Sequence, residues 1–149
     1  MTHNFFMDEA LKIASQAKNS GDVPVGAVIV MDNKIIAKAG NRVEIDHDPT
    51  AHAEMLVIKE AGKILKSTIL NQCSLYVTLE PCSMCAQAIA FARIKHLYFG
   101  AYDPKGGGVL HGPRIFNQPT CHHKPEVYGG IMESRASDLL KDFFRNLRP

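Results

Sequence analysis

Cysteine is scarce in this sequence and long apolar runs are missing. Four cysteines in 149 residues are too few for a disulfide-dense scaffold, so thiolate chemistry comes before disulfide bridging. No stretch reaches the roughly 18 apolar residues of a membrane-spanning helix. The opening MTHNFFMDEA carries no basic segment leading into an apolar run, as a signal peptide would. A cytoplasmic protein with no membrane partner is the expectation. Charge of one sign is also limited: a net charge of +2 falls short of the concentrated positive charge that by itself announces a nucleic-acid binder. It permits an RNA partner without requiring one. What is present is 46% apolar residues, enough for a hydrophobic core, and one domain over residues 1–149 is expected.

The pattern along the chain alternates between helix and strand periods. Phe6, Ala10, Ile13, Ala14 and Ala17 recur at helical spacing before Asn19-Ser20-Gly21, which predicts a helix over about 4–19. Val25 to Met31 and Lys34 to Ala39, joined by Asp32-Asn33, read as a β-hairpin. Asp48-Pro49 followed by an apolar face through Leu65 predicts a helix from about 50 to 66. Leu75 to Leu79 reads as a buried strand, Cys82 to Ala92 as a helix opened by Pro81, and His96 to Gly100 as the next strand. Residues 101–125 hold four of the eight prolines and four glycines, the composition of a long loop with one irregular turn. Val127 to Ile131 predicts a last strand and Met132 to Leu147 a final amphipathic helix. Together these elements imply a mixed five-stranded sheet with helices on both faces, a three-layer α/β/α sandwich.

Chemistry concentrates in His52-Ala53-Glu54 and Pro81-Cys82-Ser83-Met84-Cys85. One imidazole and two thiolates make three ligands for a tetrahedral zinc ion and leave a fourth position open for water. Cys82 and Cys85 at a helix start can converge on one ion from a single turn. His52 and Glu54, two apart, share a pocket only if that pocket caps the beginning of their helix. Taken alone, the cysteine pair reads equally well as a redox element or half of a structural zinc site. With His52 and Glu54 added, the set points to a catalytic zinc site in which Glu54 moves protons, because a structural site has little use for a free carboxylate.

At these residues the sequence resembles the cytidine deaminase superfamily, whose signature is H-x-E with P-C-x-x-C. More closely, it resembles the bacterial tRNA-specific adenosine deaminases. That resemblance is carried by Val23-Pro24-Val25-Gly26-Ala27, Asn41, Asp48 to Glu54, Leu75 to Cys85, Gly100 to Lys105 and Asp142-Phe143-Phe144-Arg145. It implies a cytidine deaminase-like fold, one zinc ion per subunit of a homodimer, and conversion of adenosine to inosine in a tRNA anticodon stem-loop. By the same resemblance, Asn41 hydrogen-bonds the flipped purine and Val25 and Leu79 wall it in. Asp103, Lys105, Phe144, Arg145 and Arg148 lie near the flanking nucleotides. The sequence departs from the family pattern between Gly106 and Lys124, where Gly106-Gly107-Gly108 and Cys121-His122-His123 stand. Two other readings stay open: a deaminase of a free base such as guanine or cytosine, and a non-catalytic zinc-binding interaction domain.

Overall fold

In a computed structural model that describes residues 3–147, five strands form one sheet in the order β2-β1-β3-β4-β5. The elements run α1 (His3–Asn19), β1 (Gly26–Met31), β2 (Lys34–Gly40), α2 (Val43–Asp46), α3 (Ala53–Leu65), β3 (Ser74–Leu79), α4 (Ser83–Phe91), β4 (His96–Ala101), β5 (Glu126–Tyr128) and α5 (Glu133–Leu147). β1 pairs antiparallel with β2 and β3, and β3, β4 and β5 run parallel. This is the three-layer mixed architecture the sequence implies. Among the described residues, no helix is long and apolar enough to cross a membrane.

Strand alternation sorts the core into two layers. Ala27 and Ile29, Leu75 and Val77, and Leu97 and Phe99 face α3 and α4, where they meet Val57, Ala61, Ala86 and Ile89. Val28, Val30, Tyr76 and Tyr98 face the other way and pack with Phe6, Met7, Ala10 and Leu11 of α1 and Ala136 of α5. Aromatic rings line up across the parallel strands on this second face: Tyr76 stacks on Tyr98 at 4.5 Å and Tyr98 on Tyr128 at 5.1 Å. His3 stacks on Tyr98 from α1.

The hairpin turn forms as expected, because Asp32 and Asn33 both adopt positive φ, 50° and 64°, the pair of left-handed conformations that matches strand twist. Elsewhere the element boundaries shift. The third helix begins at Ala53 instead of about 50, since Asp48 closes a turn of its own. Its carboxylate accepts both the Thr50 N–H (2.8 Å) and the Thr50 hydroxyl (2.7 Å), and its carbonyl accepts the Ala51 N–H. The short helix α2 has no counterpart in the sequence reading. Its first amides, Glu44 (2.9 Å) and Ile45 (3.2 Å), are capped by Asp22, a buried residue twenty-odd positions away. β5 stops at Tyr128 and not at Ile131, because Gly130 takes φ 82° and Gly129 lies against the Phe99 ring with no room for a Cβ.

Helix α1 sits directly on the hairpin. Gly26 and Gly40 are register partners, and small residues of α1, Ala14 and Ala17 among them, face this pair. A Cβ on Gly26 would fall 2.1 Å from the Ala10 carbonyl oxygen and 2.7 Å from the Ala14 nitrogen, so a side chain there must displace helix backbone. Gly26→Ala is expected to lower unfolding stability by about 1–3 kcal/mol, the usual cost of overpacking; urea denaturation checks this, and an unchanged midpoint would contradict the packing described.

Candidate active site

Two helix starts meet beyond the ends of the strands. His52 is the residue before α3, with φ −74° and ψ 149°, and Cys82 is the residue before α4, with φ −71° and ψ 175°. Both therefore sit in extended backbone and turn their side chains towards the unpaired N–H end of a helix. Cys85 follows in the first turn of α4 and is fully buried. The His52 Nδ1 atom lies 3.6 Å from the Cys82 Sγ and 3.5 Å from the Cys85 Sγ. Among the described residues, these three form the one cluster of His, Cys, Asp and Glu donors close enough to hold a metal ion.

The separation fits a tetrahedral ion. Bonds of about 2.3 Å to sulfur and about 2.0–2.1 Å to nitrogen, at the tetrahedral angle, place the two donors roughly 3.6 Å apart. The observed 3.5 and 3.6 Å match that spacing. A donor set of one imidazole and two thiols is suited to a soft or borderline divalent cation.

Glu54 is the second residue of α3 and is buried. Desolvation by burial pushes its carboxyl up to about 7, so it both takes and returns a proton near neutrality. Cys82 is driven the opposite way, to about 4, by a hydrogen bond from the Cys85 thiol and another from His52. Cys85 is raised because it gives that hydrogen bond and is itself buried. His52 is raised chiefly by its bond to Cys82. The two sulfurs thus share one negative charge at neutral pH in the metal-free protein.

Asn41 supports this end of the fold. Its Oδ1 accepts the Ala53 N–H at 2.8 Å, capping the helix between the histidine and the glutamate. That leaves the Asn41 amide NH2 group for other partners. Leu79, Asp103, Lys105, Phe144 and Arg145, five of the residues named from the sequence for substrate contact, line a single groove of about 1060 Å³. Val23, Leu140 and Lys141 join them and were missed, although Val23 lies in a segment whose family resemblance pointed to it. Val25 is not part of the groove lining: it is 4% exposed and packed with core residues, and its carbonyl accepts the Asn41 N–H at 3.1 Å. Arg148 lies outside the described residues. Phe144 is half-exposed at 46% and meets Phe143 edge to face. Arg145 reaches Asp142 at 3.3 Å.

Cys121 and His123 are engaged by the protein's own backbone. The Cys121 thiol donates to the His123 carbonyl, and the His123 ring meets the Ile94 carbonyl at 2.7 Å. A residue the sequence reading passed over is Glu80, buried at the end of β3. Burial alone would raise its carboxyl, but N–H donors from Asp103 and Leu110 and the His111 ring outweigh it and hold the group below its ordinary value. The available signal was a charged residue closing an apolar strand.

Fold and donor set together define a deaminase, and the family model described as MafB19-like deaminase matches residues 1–148. More particularly, the chain belongs to the family of the tRNA-specific adenosine deaminases. It is 53% identical over 143 residues to the tRNA-specific adenosine deaminase of Agrobacterium fabrum, covering 96% of this chain and 94% of that relative. A solved structure from work on A-to-I editing by tRNA:A34 deaminases at the wobble position of transfer RNA matches with a TM-score of 0.91 at 52% identity, covering 93% of this chain and all of that one. A guanine deaminase from Bacillus subtilis is more distant, with a TM-score of 0.70 and 33% identity over 98% of this chain and 95% of that one.

The opposed shifts of the two thiols give a direct test on metal-stripped protein. A thiol whose pKa is about 4 is ionised throughout the mildly acidic range, whereas a raised one stays protonated. At pH 6, iodoacetamide is expected to alkylate Cys82 before Cys85, as mapped by peptide mass spectrometry. Added divalent metal should protect both. Alkylation of Cys85 first would contradict the arrangement.

Proposed function

We propose that this chain is a zinc-dependent hydrolase that converts adenosine to inosine at the wobble position of a tRNA anticodon, with release of ammonia. The observation that carries the chemistry is the spacing of the His52, Cys82 and Cys85 donors, with the buried Glu54 carboxyl beside them. Family membership carries the substrate. Bound by these three residues, zinc supplies the Lewis acidity that makes water a strong nucleophile near neutral pH.

The chain's own groups do the rest. Overall, a water oxygen bonds to C6 of the purine, the bond from C6 to its amino nitrogen breaks, and ammonia leaves. Glu54 takes a proton from the attacking water and delivers it to the adjacent ring nitrogen, then takes the remaining proton from the new C6 hydroxyl and passes it to the amino nitrogen as that leaves, which returns Glu54 to its starting ionised form. A carboxyl that titrates near 7 suits this shuttle, since both of its forms are well populated at working pH. Asn41, its oxygen already engaged by Ala53, donates its amide N–H to the flipped base, while Val25 and Leu79 close apolar sides around it. An extruded base is read in this way by an enclosed polar group and apolar walls.

Flanking nucleotides occupy the groove. Lys105 and Arg145, with Arg148 beyond, meet phosphates, Phe144 offers a face for an unstacked base, and Asp103 orients the sugar and base beside it. The groove of about 1060 Å³ lined by these residues is a surface along which a polymer can lie. An anticodon loop already splays its bases, so extrusion costs little there. One domain carries the activity, as one zinc site per subunit of a cytoplasmic homodimer whose subunits share the RNA surface.

The test is inosine formation, read by mass spectrometry, on anticodon stem-loop RNA, with free guanine and cytosine assayed for ammonia in parallel. Activity confined to the free bases would overturn the substrate assignment. Glu54→Gln is expected to cut the rate on RNA by about 10²–10⁴-fold with zinc content unchanged. Retained activity in this variant would remove the mechanism.

A further inference from the structure

Glu80 has a side chain with no exposed surface, in a position where a buried charge is costly unless it is fully bonded. Its hydrogen bonds all run to one loop. Oε1 accepts the Asp103 N–H at 3.1 Å and the His111 Nδ1–H at 2.7 Å. Oε2 accepts the N–H groups of Val109, Leu110 and His111 at 3.3, 2.9 and 3.1 Å. The loop from Asp103 to His111 is thereby wrapped around a single carboxylate. Five N–H donors thus converge on one buried carboxyl.

The wrapped loop has two working ends. At one, Gly108 donates its N–H to the Pro81 carbonyl at 2.8 Å and lies so close to the chain carrying Cys82 that a Cβ would sit 2.6 Å from the Ser83 Cα. Gly107 is equally tight, with a Cβ placed 2.4 Å from Glu80 Oε2. These close approaches account for Gly107 and Gly108. At the other end, Asp103, Pro104, Lys105 and Gly106 form part of the groove wall.

We infer that Glu80 is a positioning residue for RNA: by gathering the Asp103–His111 loop it fixes the groove wall relative to the turn that holds Cys82. The carboxylate touches neither substrate nor metal. Its effect passes through backbone amides, and His111 contributes a side-chain contact at the loop's far end. This goes beyond the proposed function and rests on it only for the kinetic readout.

Three variants and two measurements test the inference. Glu80→Gln keeps the volume but turns an NH2 group towards N–H donors. It is expected to raise KM for the anticodon stem-loop about tenfold, the scale of one lost charge-assisted hydrogen bond, with kcat and metal content little changed. His111→Ala leaves the backbone donors in place and should raise KM by a smaller factor. Gly107→Ala, whose Cβ crowds the carboxylate from the loop side, should reproduce the Glu80→Gln pattern with the charge retained. In hydrogen exchange, the amides of Asp103, Val109, Leu110 and His111 should lose protection in Glu80→Gln while those of β3 and β4 keep it. Wild-type KM in both Glu80→Gln and His111→Ala, or a fall in kcat alone, overturns the inference. So does a Glu80→Gln variant that fails to fold while His111→Ala keeps wild-type KM. If the wild-type chain does not act on the stem-loop, the proposed function fails instead, and the exchange pattern alone decides: retained protection of the loop amides refutes the role of Glu80.

Discussion

Three donor atoms from two separate helix starts must arrive within 4.8 Å of one another, and most of the structure can be read as the means of meeting that requirement. His52 and Cys82 each occupy the extended residue before a helix, where a side chain reaches past the end of the helix and not out from its flank. Side chains two apart, as His52 and Glu54 are, could not share a pocket from mid-helix, because such residues diverge around the axis. The strand ends bring both helix starts to the same edge of the sheet. The same geometry accounts for Glu54, which shares the pocket only because it lies in the first turn.

Keeping two helix starts in register requires polar groups inside the protein, and each of these is bonded. Asn41 caps α3 through the Ala53 amide, Thr78 accepts the Gly26 N–H, and Asp22 ties Val23 to the first amides of α2. Among the described residues, no buried side-chain nitrogen or oxygen lacks a partner. Such groups stabilise little in sum, but each is expensive to leave unmet, so they narrow the ways in which the loops around the site can be arranged.

The sequence made the His52, Cys82 and Cys85 cluster, the sheet and its covering helices readable because those features are written in short-range terms: spacing, periodicity and turn residues. Asp32-Asn33 announces the hairpin, and the cysteine pair with His52 announces the ion. What stayed hidden depends on which hydrogen bonds form, and spacing alone does not show that. Nothing near residue 43 foretells α2, since its cap is Asp22. The start of α3 slips to Ala53 because Asp48 spends its carboxylate on Thr50. Glu80 looks like part of a motif until the loop that surrounds it is seen.

The stacked tyrosines of β3, β4 and β5 bear on how this protein can be observed. With no tryptophan in the chain, its near-ultraviolet dichroism is governed by Tyr76, Tyr98 and Tyr128, whose rings lie nearly parallel and close together. Coupled chromophores held in a fixed chiral array give a signal that vanishes when the array loosens. The molecule thus carries a built-in optical gauge of the sheet layer beneath α1, on the face opposite the helices that bear His52 and Cys82.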